Sequence, residues 1–201
     1  MAQFKNQLLR RITILIPAHN EEDQIEETLQ SLNSQSIAPD KIVVIADNCT
    51  DMTTEKCKQF SNVEVFTTKC NTKKKAGALN QWLDLYLDQT PNHDLIMVMD
   101  ADSSLCPTFL ENASKYIERG FSACGGVFQG KPGGKLVGMF QRNEYARYAR
   151  DVARKDGATL VLTGTATLFL ASALKEVANN RKNHLLPCID NEAHVCDTGA
   201  L

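Results

Sequence analysis

Leu95-Ile96-Met97-Val98-Met99 is an unbroken apolar run that stops abruptly at Asp100-Ala101-Asp102. A run this short, bounded by polar residues, suits a β-strand covered on both faces. Such a strand needs partners beside it and helices above and below it, which points to an α/β fold. Residues i and i+2 of an extended chain point the same way. If Asp100 to Asp102 stays extended, both carboxylates lean into the space past the strand's carboxyl end, where open α/β sheets bind ligands. Hard oxygen ligands there suit Mg2+ or Mn2+, with a substrate phosphate completing the shell. The alternative is a strand that ends in a polar turn, since Asp and Ser are common turn residues.

The flanking sequence supplies the partners that such a strand needs. Ile12 to Ile16 is β-rich and ends at Pro17, which predicts a first strand. Asn20 is a candidate N-cap for a helix carrying Ile25, Leu29 and Leu32 at helical spacing. Lys41 to Ala46 reads as a second strand, and a loop from Asp47 to Asp51 leads into a helix to about Phe60. Val63 to Thr67 reads as a third strand. Leu79, Trp82, Leu83, Tyr86 and Leu87 form one helical stripe, in a helix from Ala76 onward. Beyond the central run, Pro107 suits the first turn of a helix to about Arg119. Phe121 to Gln129 is strand-like, Lys131 to Gly134 a turn, and Leu136 to Lys155 a long helix with a charged face. Thr159 to Leu170 contains a strand interrupted at Gly164, and Ala171 to Asn179 begins another helix. Strands alternating with helices predict a mostly parallel sheet covered on both faces.

Length and composition narrow the classes. A chain of 201 residues predicts a single domain over 1–201, and 43% hydrophobic content predicts a real core. A net charge of −2 gives no global basic field for nucleic acid. Seven cysteines at irregular spacing suggest reduced cytoplasmic thiols rather than a disulfide framework. Met1 to Arg11 lacks the apolar core of a signal peptide, so the sequons at Asn48 and Asn112 carry no weight. The most apolar stretch, Gly157 to Leu174, is broken by Thr159, Thr163, Gly164, Thr165 and Thr167, so no membrane span is expected.

Several motif readings fail on chemistry. Pro17-Ala18-His19-Asn20 follows the first strand without the glycines that a dinucleotide-binding turn requires. Gly125 and Gly130-Lys131 have the spacing of a phosphate loop, but Pro132 stands where Ser or Thr should hold Mg2+. His184, Cys188, His194 and Cys196 could hold zinc, yet their spacing matches no common module. No order of Ser, His and Asp suggests an acyl-transfer triad, and His19 is given no role as a base. What remains is acidic. Glu21 follows the first strand, Asp47 the second, and Asp100 and Asp102 the central one, so all four share one sheet edge. Carboxylates so placed repel unless a cation or ligand donors sit among them. Asp51 reads as a turn or cap residue. Lys73-Lys74-Lys75 could bring positive charge to a phosphate, although Lys73 and Lys74 read more readily as a solvated basic turn.

Four motifs together carry a resemblance: Ile16-Pro17-Ala18-His19-Asn20-Glu21-Glu22, Ala46-Asp47-Asn48-Cys49-Thr50-Asp51, Lys75-Ala76-Gly77-Ala78-Leu79-Asn80 and Asp100-Ala101-Asp102. In this order and spacing the chain resembles a family 2 glycosyltransferase with the GT-A fold, over nearly its whole length. The resemblance implies transfer of a sugar from a nucleotide donor, usually a UDP sugar, with Mn2+ or Mg2+. It implies that Ala18 and Glu21 line the nucleoside pocket, that Asp47 accepts from the base and that Lys75 lies near the nucleotide. It further implies that Asp100 contacts the ribose or donor sugar and that Asp102 ligates the metal. The acceptor is an unknown saccharide, lipid or protein.

Thr163-Gly164-Thr165 followed by Leu168-Phe169-Leu170 resembles the polysaccharide-synthase branch, which includes chitin, cellulose and hyaluronan synthases. Two elements of that branch depart: membrane helices and the Gln/Arg-x-x-Arg-Trp element. The base of such enzymes is an acid in a Thr-Glu-Asp type motif. Asp197-Thr198-Gly199-Ala200-Leu201 looks like the approach to it, and Asp190, Glu192 and Asp197 do not match it. The expectation is therefore the donor-binding part of an inverting transferase with its base beyond Leu201. The rivals are a sugar-nucleotide-binding module without turnover and a nucleotidyltransferase.

Overall fold

The computed structural model describes residues 10–127, 129–130, 135–154, 162 and 164–182. Six strands form one sheet: β1 (Ile12–Ala18), β2 (Lys41–Ala46), β3 (Val63–Thr67), β4 (Leu95–Met99), β5 (Ala123–Gly125) and β6 (Ala166–Leu170). The helices are α1 (Ile25–Asn33), α2 (Thr53–Cys57), α3 (Lys74–Tyr86), α4 (Phe109–Glu118), α5 (Lys135–Arg154) and α6 (Ala171–Lys182). The sheet order is β3-β2-β1-β4-β6-β5. Strands β1 to β4 run parallel, whereas β6 pairs antiparallel with both β4 and β5. The expected parallel sheet thus forms its first four strands, and the remaining edge is antiparallel.

Alternation along each strand feeds two cores. Ile14, Ile16, Ile42, Val44, Met97 and Met99 pack on one face against Ile25, Leu29 and Leu32 of α1 and Leu110, Ala113 and Ile117 of α4. Their neighbours Leu15, Val43, Ile45, Ile96 and Val98 pack on the other face against Ala78, Leu79, Trp82 and Leu83 of α3 and Leu174 of α6. Every residue of β4 is buried. This is why the central run is continuously apolar: both of its faces lie in a core.

Several expectations move. β1 continues through Pro17 to Ala18, in register with β2 up to Ala18 opposite Ala46. The ladder between β1 and β4 ends at Leu15 opposite Val98, so the missing N–H of Pro17 costs no bond on that side. Asn20 does not cap α1. It takes a left-handed conformation, φ 56°, and its Oδ1 accepts from Thr50 N–H at 2.8 Å. A turn intervenes in which Gln24 and Ile25 N–H both donate to Glu21 O, so α1 starts later. Pro107 lies before α4 rather than within its first turn, and its carbonyl accepts from Ser36 N–H at 2.7 Å. β5 occupies only three residues of the predicted stretch. The turn at Lys131 to Gly134, the cluster of His184, Cys188, His194 and Cys196, and the acids Asp190, Glu192 and Asp197 lie outside the described residues.

Asp100 to Asp102 does not stay extended. The chain turns at Ala101 and Asp102, with Ser103 N–H reaching Asp100 O at 3.4 Å. The turn is anchored from below by Thr28 of α1, whose buried Oγ1 donates to Ala101 O at 2.7 Å. Thr28→Val keeps the shape but leaves that buried carbonyl unpaired. The expected loss is about 1–3 kcal/mol of unfolding free energy, measured by urea titration.

Candidate nucleotide-sugar site

The loops after β1, β2 and β4 emerge at the same edge of the sheet, and the expected site residues follow them. Ala18 ends β1 with 2% of its surface exposed. Its carbonyl accepts from Asp47 N–H at 2.8 Å and from Cys49 Sγ at 3.4 Å, so it fastens the loop after β2 to β1. Asp47 is buried. Its Oδ1 accepts from Thr68 Oγ1 at 2.8 Å and from Asn48 Nδ2 at 3.2 Å. His19 Nδ1 lies 2.6 Å from Asp47 O, a loop contact for that imidazole.

The expected cation is also in place, but it is already paired. Lys75 Nζ forms an ion pair with Asp100 Oδ1 and donates to Gly164 O at 2.9 Å. Asp100 N–H in turn donates to Thr165 O at 2.9 Å, so α3, the end of β4 and the start of β6 meet at one point. Lys73 and Lys74 are exposed, as a solvated turn would be.

Glu21 and Asp102 complete the edge. Asp102 is exposed, and Ser103 Oγ reaches its Oδ1 at 3.4 Å. Partial burial pushes the Glu21 carboxyl above its ordinary value, and the charges of Asp102, Asp100 and Asp51 push the same way. The acids therefore do feel one another. Asp51 plays the local part expected of it: Oδ1 accepts from Thr53 N–H at 3.0 Å and Thr53 Oγ1 at 2.6 Å at the start of α2. Among the described residues, no three His, Cys, Asp or Glu side chains converge as a ready-made metal cage. One or two carboxylates beside a diphosphate are nonetheless the usual donor set for Mg2+ or Mn2+, so the residues present fit such an ion.

A family model described as "Glycosyl transferase family 2" fits residues 13–178. The chain belongs to glycosyl transferase family 2. It is 29% identical over 178 residues to the poly-beta-1,6-N-acetyl-D-glucosamine synthase of Staphylococcus aureus (strain MSSA476), covering 84% of this chain and 42% of that one. The Staphylococcus epidermidis synthase of that name is 26% identical over 189 residues, covering 88% and 43%. The chain thus spans less than half the length of the curated relatives it matches. Two solved structures share the GT-A fold. A mannosyltransferase from Pyrobaculum calidifontis in complex with GDP-Man and Mn2+ superposes with a TM-score of 0.62, at 22% identity, over 84% of this chain and 47% of that one. Glucosyl-3-phosphoglycerate synthase from Mycobacterium tuberculosis, with Mn2+, UDP and phosphoglyceric acid, gives 0.57 at 20% identity over 84% and 58%. Among the described residues no helix is long and apolar enough to cross a membrane.

Family 2 motif residues also do structural work that their types alone do not announce. A Cβ on Gly77 would sit 2.1 Å from Asn71 Oδ1 and 2.7 Å from Lys73 Cβ. Asn71 cannot simply swing away, because its Oδ1 accepts from Lys73 N–H at 3.0 Å and its Nδ2 donates to Lys74 O at 2.8 Å. The glycine lets this loop close tightly over the start of α3, which aims Lys75. Sequence reasoning missed Thr68, Thr28 and the Gly164 carbonyl. A threonine directly after a strand is a weak signal, and a backbone carbonyl gives none.

Two outcomes are expected. Gly77→Ala forces the loop outward and should lower unfolding free energy by about 1–3 kcal/mol in urea titration. Glu21→Gln removes a carboxylate whose folded pKa is raised, so its ionised form disfavours the folded state above that pKa. The variant should therefore melt higher than wild type at pH 7, and lose that gain well below pH 4.5, the group's ordinary value, where both states are protonated.

Proposed function

We propose that this chain binds a UDP sugar and forms the donor side of an inverting glycosyl transfer to a saccharide, lipid or protein acceptor. The observation that carries this reading is the crowding of Glu21, Asp100 and Asp102 on one sheet edge, answered within the described chain by Lys75. Asp102, exposed and weakly engaged, is the residue to hold Mn2+ or Mg2+ together with the diphosphate oxygens. The ion supplies charge neutralisation for the departing diphosphate. Lys75 holds one oxygen of Asp100, so the carboxylate is oriented to accept from a ribose or sugar hydroxyl. Ala18 and Glu21 line the nucleoside pocket, and Asp47 accepts the imide N–H of uracil. The Staphylococcus relatives are named as synthases of a poly-N-acetylglucosamine, which favours a saccharide acceptor here.

Calorimetric titration tests this. Asp102→Ala should abolish the Mn2+ dependence of UDP binding while melting as wild type does, because Asp102 makes no buried contact. Full metal-dependent binding by that variant would make Asp102 a turn residue and remove the metal reading. Asp47→Asn presents an amide where an acceptor is needed and should weaken UDP by about 1–3 kcal/mol. Unchanged affinity would overturn the base assignment.

A further inference from the structure

The carboxylate of Asp47 is satisfied on one side only. A carboxylate has two oxygens and about four lone-pair positions. Oδ1 accepts Thr68 Oγ1 at 2.8 Å and Asn48 Nδ2 at 3.2 Å, which fills it. Among the described residues nothing donates to Oδ2.

Both donors are held firmly. Thr68 is 8% exposed, and its N–H donates to Ala46 O at 3.1 Å. Its hydroxyl carries one proton. Ala46 O lies 3.5 Å away and Asp47 Oδ1 only 2.8 Å, so the carboxylate receives it. Asn48 sits in the left-handed region, φ 50°, and its amide also donates to Asn71 O at 3.0 Å. Its two N–H groups are thereby both committed, one to Asp47 and one to the loop that leads to Lys75.

Nucleobases differ in how many acceptors they ask of a carboxylate. Uracil presents one imide N–H between two carbonyls. Guanine presents two adjacent donors, the ring N–H and the exocyclic amine, and binds a carboxylate through both oxygens. We infer that Thr68, with Asn48, restricts Asp47 to a single free acceptor oxygen and so makes this pocket select uracil over guanine. The inference rests on the proposed placement of the nucleoside beside Asp47. Thr68 is a positioning residue: it acts through Asp47 and need not touch the base.

The test is the ratio of UDP to GDP affinity, measured calorimetrically with Mn2+ on the whole chain. Wild type should prefer UDP. Thr68→Val frees the filled oxygen and lets the carboxylate rotate, so the preference should fall by about tenfold, with UDP weakened and GDP unchanged or improved. Thr68→Ser keeps the hydroxyl and should retain the wild-type ratio, which a purely packing role for the threonine methyl would not predict. If Thr68→Val does not fold, Asn48→Gly removes the second donor while keeping the backbone angle, and its ratio should fall in the same direction. A ratio collapsed by Asp47→Ala but unmoved by Thr68→Val and Asn48→Gly would overturn the inference and leave the base reading standing. UDP affinity indifferent to Asp47 would overturn the base reading itself. A wild-type protein that binds GDP as well as UDP overturns the inference outright.

Discussion

A strand buried on both faces can place a carboxylate only at its end. β1, β2 and β4 are such strands, and nearly every side chain between their ends lies in one core or the other. Charge therefore has to collect where the strands stop. Because β1 and β2 run parallel and in register to Ala18 and Ala46, they stop at one level, and their loops deliver acids into one space. Burial and register thus account for charge being confined to the strand ends and delivered at one level. Partial burial raises the Glu21 carboxyl, and the charges of Asp102, Asp100 and Asp51 at this edge raise it further.

Such an edge needs ties as well as charges, and the ties come from outside the parallel strands. Lys75 reaches from α3 to Asp100 and to Gly164 O, and Asp100 N–H reaches Thr165 O. The antiparallel β6 thus closes the site from the side where the parallel ladder has ended. On the opposite side the ties of the loop after β2 include Asp47 N–H to Ala18 O and Asn48 to Asn71 O. The second tie joins the Asp47 pocket to the loop that aims Lys75.

The parts of this architecture that depend on burial were legible in the sequence. Lys41–Ala46, Val63–Thr67 and Leu95–Met99 form strands with the bounds that their apolar runs suggest. Glu21, Asp47, Asp100 and Asp102 could be assigned to one edge from strand alternation alone. The features that were not legible depend on direction and on backbone groups. An apolar run does not state whether it pairs parallel or antiparallel, so the reversal of β6 was hidden. Two aspartates spaced i, i+2 read equally well as an extended strand end or as a turn. Thr28, bonding Ala101 O from a helix distant in sequence, decides for the turn. Asn20 looked like a cap because its side chain accepts from backbone N–H groups. It does so for Thr50, in another loop.

Lys75 shows how a motif residue found in the sequence can hold partners that its type does not announce. Its type and its place just before the helix expected from Ala76 suggested a cation offered to phosphate; in the structure that helix, α3, starts at Lys74 and includes it. In the structure its ammonium is already engaged by a carboxylate and a carbonyl, so much of its charge is answered within the protein. Pairing Lys75 with Asp100 leaves Glu21, Asp47 and Asp102 without a close cation of their own among the described residues. Asp102 is exposed and Glu21 only partly buried, so solvent screens them, and neither needs a permanent partner. An edge of this kind is tolerable without an ion and more favourable with one. Carboxylates placed in this way repel one another less when a cation sits among them.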